Sequence, residues 1–145
     1  MILLLGACSD STAPANTCAD FQGTWKTQSF LYTASADPTT TADLSSVASI
    51  DMTVDDNCNF TGTAVLPDIA QDTADINGSF TLDPTLSTLT MMDATPVGPA
   101  INYTYQYTFS GNTLTWVNPS LQYDFDGPGP NPYLPATLTI TFLKQ

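Results

Sequence analysis

Apolar and hydroxylated side chains take turns along this chain in brief runs, and each run stops at a turn-forming cluster. The longest run spans 101–109. Ile101, Tyr103, Tyr105, Tyr107 and Phe109 fall on one face, and Asn102, Thr104, Gln106 and Thr108 on the other. Successive side chains of a strand point to opposite faces, so this spacing predicts a strand buried on one side. Ser110-Gly111-Asn112 then predicts a turn, and Leu114 and Trp116 alternate with Thr113 and Thr115 on the return, which is a hairpin signal. Upstream, Phe80 and Leu82 alternate with Ser79 and Thr81, Asp83-Pro84-Thr85 turns, and Leu89 and Met91 follow with Thr88 and Thr90. Ile50, Met52 and Val54 precede the turn Asp55-Asp56-Asn57, with Cys58, Phe60 and Gly62 beyond it. A first strand is expected from about Gly23 to Thr33, and the last carries Leu138, Ile140 and Phe142 between Thr137, Thr139 and Thr141. Eight or nine strands result, with no helix; only the stretch from Asp37 to Ser46 could hold a helical turn. Successive hairpins with one apolar face predict an all-β fold, an antiparallel up-and-down β-barrel of about eight strands, with a β-sandwich as the alternative. Closure removes exposed edges, which favours the barrel in a chain with so few charges to guard them.

Composition sharpens this picture. The 145 residues carry 14 acidic side chains, every one an aspartate, against two lysines, Lys26 and Lys144; Glu, Arg and His are absent, and the net charge is −12. Good helix formers are therefore scarce, while Thr and the β-branched and aromatic residues are plentiful. Two lysines cannot form a track for phosphates, so nucleic acid is excluded as a partner. Attraction to an anionic lipid surface is excluded by the same charge. The acidity reads first as solubility and second as a capacity for cations.

The N-terminus carries an address. Met1-Ile2-Leu3-Leu4-Leu5-Gly6-Ala7-Cys8 is an apolar run ending in small residues, the pattern of a signal peptide remnant over 1–7, and it is too short to span a bilayer. Leu5-Gly6-Ala7-Cys8 resembles the lipobox of bacterial lipoproteins. That resemblance implies cleavage before Cys8, attachment of diacylglycerol and a further acyl chain such as palmitate, and anchoring to a lipid bilayer of the cell envelope. Two or more chains hold a protein stably where one does not. Ser9 follows the cysteine, which by the sorting rule of some diderm bacteria implies the outer membrane. The lipidated cysteine and a small, polar, flexible tether are expected over 8–19, and the folded domain over 20–145. Cys18 and Cys58 then remain as a pair, read in an oxidising compartment as a disulfide.

Phe21-Gln22-Gly23-Thr24-Trp25-Lys26 contains a Gly-x-Trp that resembles the opening motif of lipocalins and of small lipocalin-like bacterial lipoproteins. Asn77-Gly78-Ser79-Phe80-Thr81-Leu82 and the run from Tyr105 to Trp116 are similar to later strands of that pattern. The resemblance implies a barrel closed at one end by Gly23 and Trp25, with a late basic residue over the Trp; Lys144 is the only candidate here, where the family usually has Arg. It also implies a small hydrophobic ligand, and Tyr103, Tyr105, Tyr107 and Trp116 are candidates to line its site, with plain core packing as the competing reading.

Other chemistry is thin. Without His, Glu or Arg, most catalytic constellations cannot be built, and a Ser or Thr nucleophile would need a desolvated lysine as its base. The chain is read as a non-enzyme without an organic cofactor. Asp124-Phe125-Asp126-Gly127 resembles the start of a calcium loop, so Asp124, Asp126 and Asn131 are candidate Ca²⁺ ligands, against the reading of a Pro/Gly-rich turn. The leading expectation is a lipid-anchored envelope protein whose barrel binds a small hydrophobic ligand. The alternative is a structural or adhesive sandwich module of the envelope, stiffened by calcium.

Overall fold

The computed structural model describes residues 17–66, 73–93, 101–127 and 133–145. A short helix, α1 (Cys18–Phe21), precedes nine strands: β1 (Gly23–Ala34), β2 (Thr41–Asp43), β3 (Ser49–Val54), β4 (Asn59–Val65), β5 (Thr73–Asp83), β6 (Thr88–Asp93), β7 (Ile101–Ser110), β8 (Thr113–Tyr123) and β9 (Leu134–Lys144). All pairings are antiparallel between neighbours in the sheet, and β9 returns to pair with β1. Eight strands thus close a barrel, and β2 is an extra strand laid on the second half of β1. The sandwich alternative is corrected by this closure: the described strands form one continuous sheet closed on itself.

Alternation produced this shape. Leu138, Ile140 and Phe142 are buried on β9, Leu114 and Trp116 on β8, Tyr105 and Tyr107 on β7, while Asn102, Thr104, Gln106 and Thr108 face solvent. The outward face is polar, the reverse of the apolar-out arrangement of membrane-spanning barrels. The Phe60 and Phe80 rings stack at 4.8 Å. Gly78 stands opposite Phe60 in the ladder, and a Cβ there would lie 2.8 Å from the Phe60 ring and closer still to the Met92 carbonyl. Glycine lets the ring lie flat against the neighbouring strand.

β1 serves three neighbours. It pairs with β3 at Gly23–Trp25, with β2 at Leu31–Thr33, and with β9 along its length, with a register shift between Thr27 and Ser29. Between its two partners on one side, side chains carry the hydrogen bonds. Thr27 Oγ1 donates to the Ile50 carbonyl at 2.7 Å and accepts from Ile50 N at 2.8 Å, while Asp51 Oδ1 accepts from Thr27 N. Ser45 Oγ accepts from Phe30 N at 3.0 Å. The stretch allowed a helical turn holds β2, and at its end a single helical turn begins in which the Leu44 carbonyl accepts from Val47 N and Ala48 N.

Two further differences concern the start of the domain. Cys18 and Ala19, expected at the end of a flexible tether, belong to α1. That helix is closed by reciprocal bonds between Thr17 and Asp20, a capping box. It is tied to the β3–β4 turn by the Cys18–Cys58 disulfide, which spans 40 positions. Cys58 sits at φ 62°, a left-handed conformation rare for a side-chain-bearing residue, in a turn organised by Asp55. The Asp55 carboxylate accepts from Asn57 N, Asn59 N and Asn59 Nδ2 at 2.8–2.9 Å. These bonds, those from Asn59 foremost, hold its pKa below the usual carboxylate range.

Loss of the disulfide in a Cys18→Ala/Cys58→Ala variant is expected to lower the unfolding free energy in urea by ~3–4 kcal/mol, since the chain entropy of a loop this long is no longer restricted. The depressed pKa of Asp55 has a defined sign: its stabilisation is complete above the unfolded-state value of about 3.9 and fades as pH falls through the lower folded-state value. Melting temperatures measured from neutral to strongly acid pH are therefore expected to fall less steeply with acid in Asp55→Ala than in the wild type, from a lower starting point.

Candidate ligand cavity

The two ends of the barrel differ. At one end lie the turns β3–β4, β5–β6 and β7–β8, together with α1 and the C-terminus. Here Phe21 drops from α1 into the barrel and packs edge-on against Tyr107 at 5.3 Å, and Trp25 packs against Phe109 at 5.9 Å. Phe21 and Trp25 are wholly buried. Trp25 Nε1 donates to the Phe21 carbonyl at 2.7 Å, satisfying both groups where water cannot reach. Lys144 faces Trp25 across the β1–β9 ladder, and its Nζ stands 5.4 Å from the indole centroid. Gly23 has φ 134°, and a Cβ there would fall 2.6 Å from Lys144 Cε. The Gly-x-Trp spacing thus has a physical content: glycine supplies the backbone conformation and the room for the lysine stem, and Trp25 supplies the plug.

Above the plug lies a layer of aromatic rings. Trp116, fully buried, packs against Phe142 at 4.7 Å, Tyr105 at 5.2 Å and Phe80 at 5.5 Å. Its Nε1 is buried with no hydrogen-bond partner among the described residues. Tyr107 belongs to the same closed half, beside Phe21. Neither of these two ligand-lining candidates is on the wall of the cavity beyond them. They fill the floor, because alternation assigns a residue to the interior without saying how deep in the barrel it sits.

Toward the other end the filling stops. A cavity of about 250 Å³ remains, walled by the buried Phe30, Ile50, Phe60, Met91, Tyr105 and Ile140, with the half-buried Tyr32, Tyr103 and Leu121 also lining it. Tyr103 and Tyr105 thus do line it. Burial, with the neighbouring phenols of Tyr103 and Tyr32, pushes the Tyr105 hydroxyl well above its ordinary pKa, so it stays neutral. Tyr32 stacks on Tyr123 at 4.3 Å, and Tyr123 meets Phe125 edge-on at 5.0 Å. Sequence reasoning missed this aromatic group, which joins β1 to the end of β8; Tyr32 alternates on β1 like any core residue, and Tyr123 and Phe125 lie where β8 gives way to a turn.

The wall itself parts at this end. β7 and β8 are paired from Gln106↔Val117 to Ser110↔Thr113 and no further among the described residues, and β8 shifts register against β9 between Asn118 and Leu121. A polar cleft lined by Asn102, Thr104, Gln106, Asn118 and Ser120 occupies the gap on the outside, and it shares Tyr103 and Leu121 with the internal cavity.

The calcium candidates are only partly visible. Asp124 Oδ1 accepts from Asp126 N at 3.1 Å, which is an aspartate-stabilised turn; Asn131 lies outside the described residues. No group of three or more acidic or cysteine side chains stands close enough to share a cation among the described residues. Cys8 also lies outside them. No family model, no curated protein and no solved structure matches the chain.

The two tryptophans should respond differently to truncation. Trp25→Phe strands the Phe21 carbonyl in a dry interior, at a cost of about 1–3 kcal/mol on top of lost packing. Trp116→Phe removes a donor that has no partner among the described residues, which offsets part of its packing loss. Urea unfolding is expected to show Trp25→Phe as the more destabilising of the two.

Proposed function

We propose that the protein is a lipid-anchored cell-envelope lipoprotein whose barrel takes up a small hydrophobic ligand at its open end. The observation that carries the ligand half of this reading is the asymmetry of the interior. One end is packed solid around Trp25, and the other retains an apolar space of about 250 Å³ beside a parted wall. Ligand sites are concave, mostly apolar and furnished with a few polar groups, although this one is at the small end of the usual range of roughly 300–1,000 Å³. Tyr32, Tyr103 and Tyr105 are the lining residues that carry polar groups. An unfilled apolar space lowers stability by the contacts its walls lack, so a ligand that fills it stabilises the fold.

The anchoring half rests on the Leu5-Gly6-Ala7-Cys8 motif and gains support from the Cys18–Cys58 disulfide, a bond characteristic of oxidising, extracytoplasmic compartments. It leaves Cys8 as the odd thiol of three. The described chain starts at the plugged end. A tether from Cys8 to Cys18 would hold that end toward the membrane and leave the open end facing away.

Titration with the neutral fluorophore N-phenylnaphthylamine is expected to show saturable binding. Ala64→Phe, which projects a ring into the cavity, should weaken it by about tenfold or more, equivalent to 1.4 kcal/mol, while retaining cooperative thermal unfolding. Undiminished probe binding by a folded Ala64→Phe variant would remove the cavity from consideration. Radioactive palmitate should label the wild type in a lipoprotein-processing host and not Cys8→Ala.

A further inference from the structure

The chemistry of the ligand's polar end follows from where the protein's cations are. Lys26 and Lys144 are the only cationic side chains in the sequence. Both belong to the plugged end: Lys144 lies over Trp25, and Lys26 is the next residue along β1, opposite Leu143. Between them and the cavity lies the layer of Trp116, Phe80 and Phe142. The open end therefore offers no side-chain cation to an anionic head group, wherever its remaining connections run, because those connections contain no Lys, Arg or His.

What the open end does offer is negative charge and aromatic faces. Asp37 precedes β2 and Asp43 ends it, and Asp124 and Asp126 follow β8. Asp37 is held ionised by hydrogen bonds from Thr39 and Thr40, and Asp43 by those from Ser45; each has a pKa below the ordinary value. The stacked pair of Tyr32 and Tyr123, with Phe125 edge-on to it, and Tyr103 on the cavity wall make this end rich in aromatic rings, and aromatic rings attract cations. A carboxylate brought to this end would lose water with no counter-charge, whereas an ammonium group would exchange water for phenol oxygens, aromatic rings and a negative field.

We infer that the cavity selects amphiphiles with a cationic head, an apolar chain in the barrel and an ammonium or similar group at the open end, and discriminates against fatty acids and other anionic amphiphiles. This rests on the cavity being a ligand site and adds the charge class of the ligand.

The test is a matched series with one chain and three heads: decyltrimethylammonium, decanol and decanoate, each titrated at neutral pH below its aggregation concentration, by displacement of N-phenylnaphthylamine. Expected affinities fall in that order, with the cation bound about tenfold or more tighter than the anion at low salt. The gap should narrow at high salt as exposed charges are screened. A second arm places a cation at this end with Leu121→Lys, which should raise decanoate affinity relative to decanol. Decanoate bound as tightly as decanol or the ammonium by the wild type overturns the selectivity while leaving cavity binding intact. Failure of all three to displace a bound probe overturns both.

Discussion

From Trp25↔Lys144 to Ala34↔Ala136, β1 and β9 run side by side, and this ladder converts a meander of hairpins into a closed wall. Every alternating strand in the chain depends on that closure. A sheet with one apolar face must bury it against something, and here it is buried mainly against the opposite side of the same sheet, with Phe21 of α1 added at one end. The ladder also sets the geometry of the plugged end, because it brings Lys144 over Trp25 and against Gly23. A slip by one residue would turn Leu138, Ile140 and Phe142 outward together. The cost of closure falls on β1, which must leave β3 for β2 while staying with β9. Thr27, Ser45 and Asp51 are placed where that transfer would otherwise leave backbone groups unpaired.

Much of this was legible beforehand, and the reason is chemical. With Thr or another polar residue on most outward positions and a large apolar residue on most inward ones, the period of two is clear on β7, β8 and β9. Turns were legible where Asp, Asn and Gly sit at their required places, as at Asp55 and Gly111. The disulfide followed from the odd number of cysteines once Cys8 was set aside. The short helix was not foreseen, although Thr17 and Asp20 form its capping box; four residues carry no periodicity, and the helix exists because Phe21 is held inside and Cys18 is tied to Cys58. β2 was hidden for a similar reason: three residues are too few to alternate.

The candidate site was legible in kind but not in depth. Tyr103, Tyr105, Tyr107 and Trp116 all read as inward, and all are inward or partly so, yet only the first two reach the open space. Depth along a barrel depends on strand stagger, which is set by the register of every ladder at once and by the shifts at Thr27/Ser29 and Asn118/Leu121. Tyr32 and Tyr123 come from strands far apart in sequence and meet only because β1, β9 and β8 lie side by side in the wall.

The same stagger explains why the cavity lies where it does. The plugged half has two extra sources of bulk: Phe21, delivered from outside the sheet by α1, and the two buried indoles of Trp25 and Trp116. The open half is walled by strands whose inward positions include Ala64 and Ile76, residues that leave room. It is also where the β7–β8 ladder ends and the lining tyrosines gather, so solvent and polar groups meet the apolar wall there. Stability and vacancy are thus separated along one axis. The tight half, stapled by the disulfide and sealed by the Trp25–Phe21 hydrogen bond, can hold the barrel together while the loose half stays open.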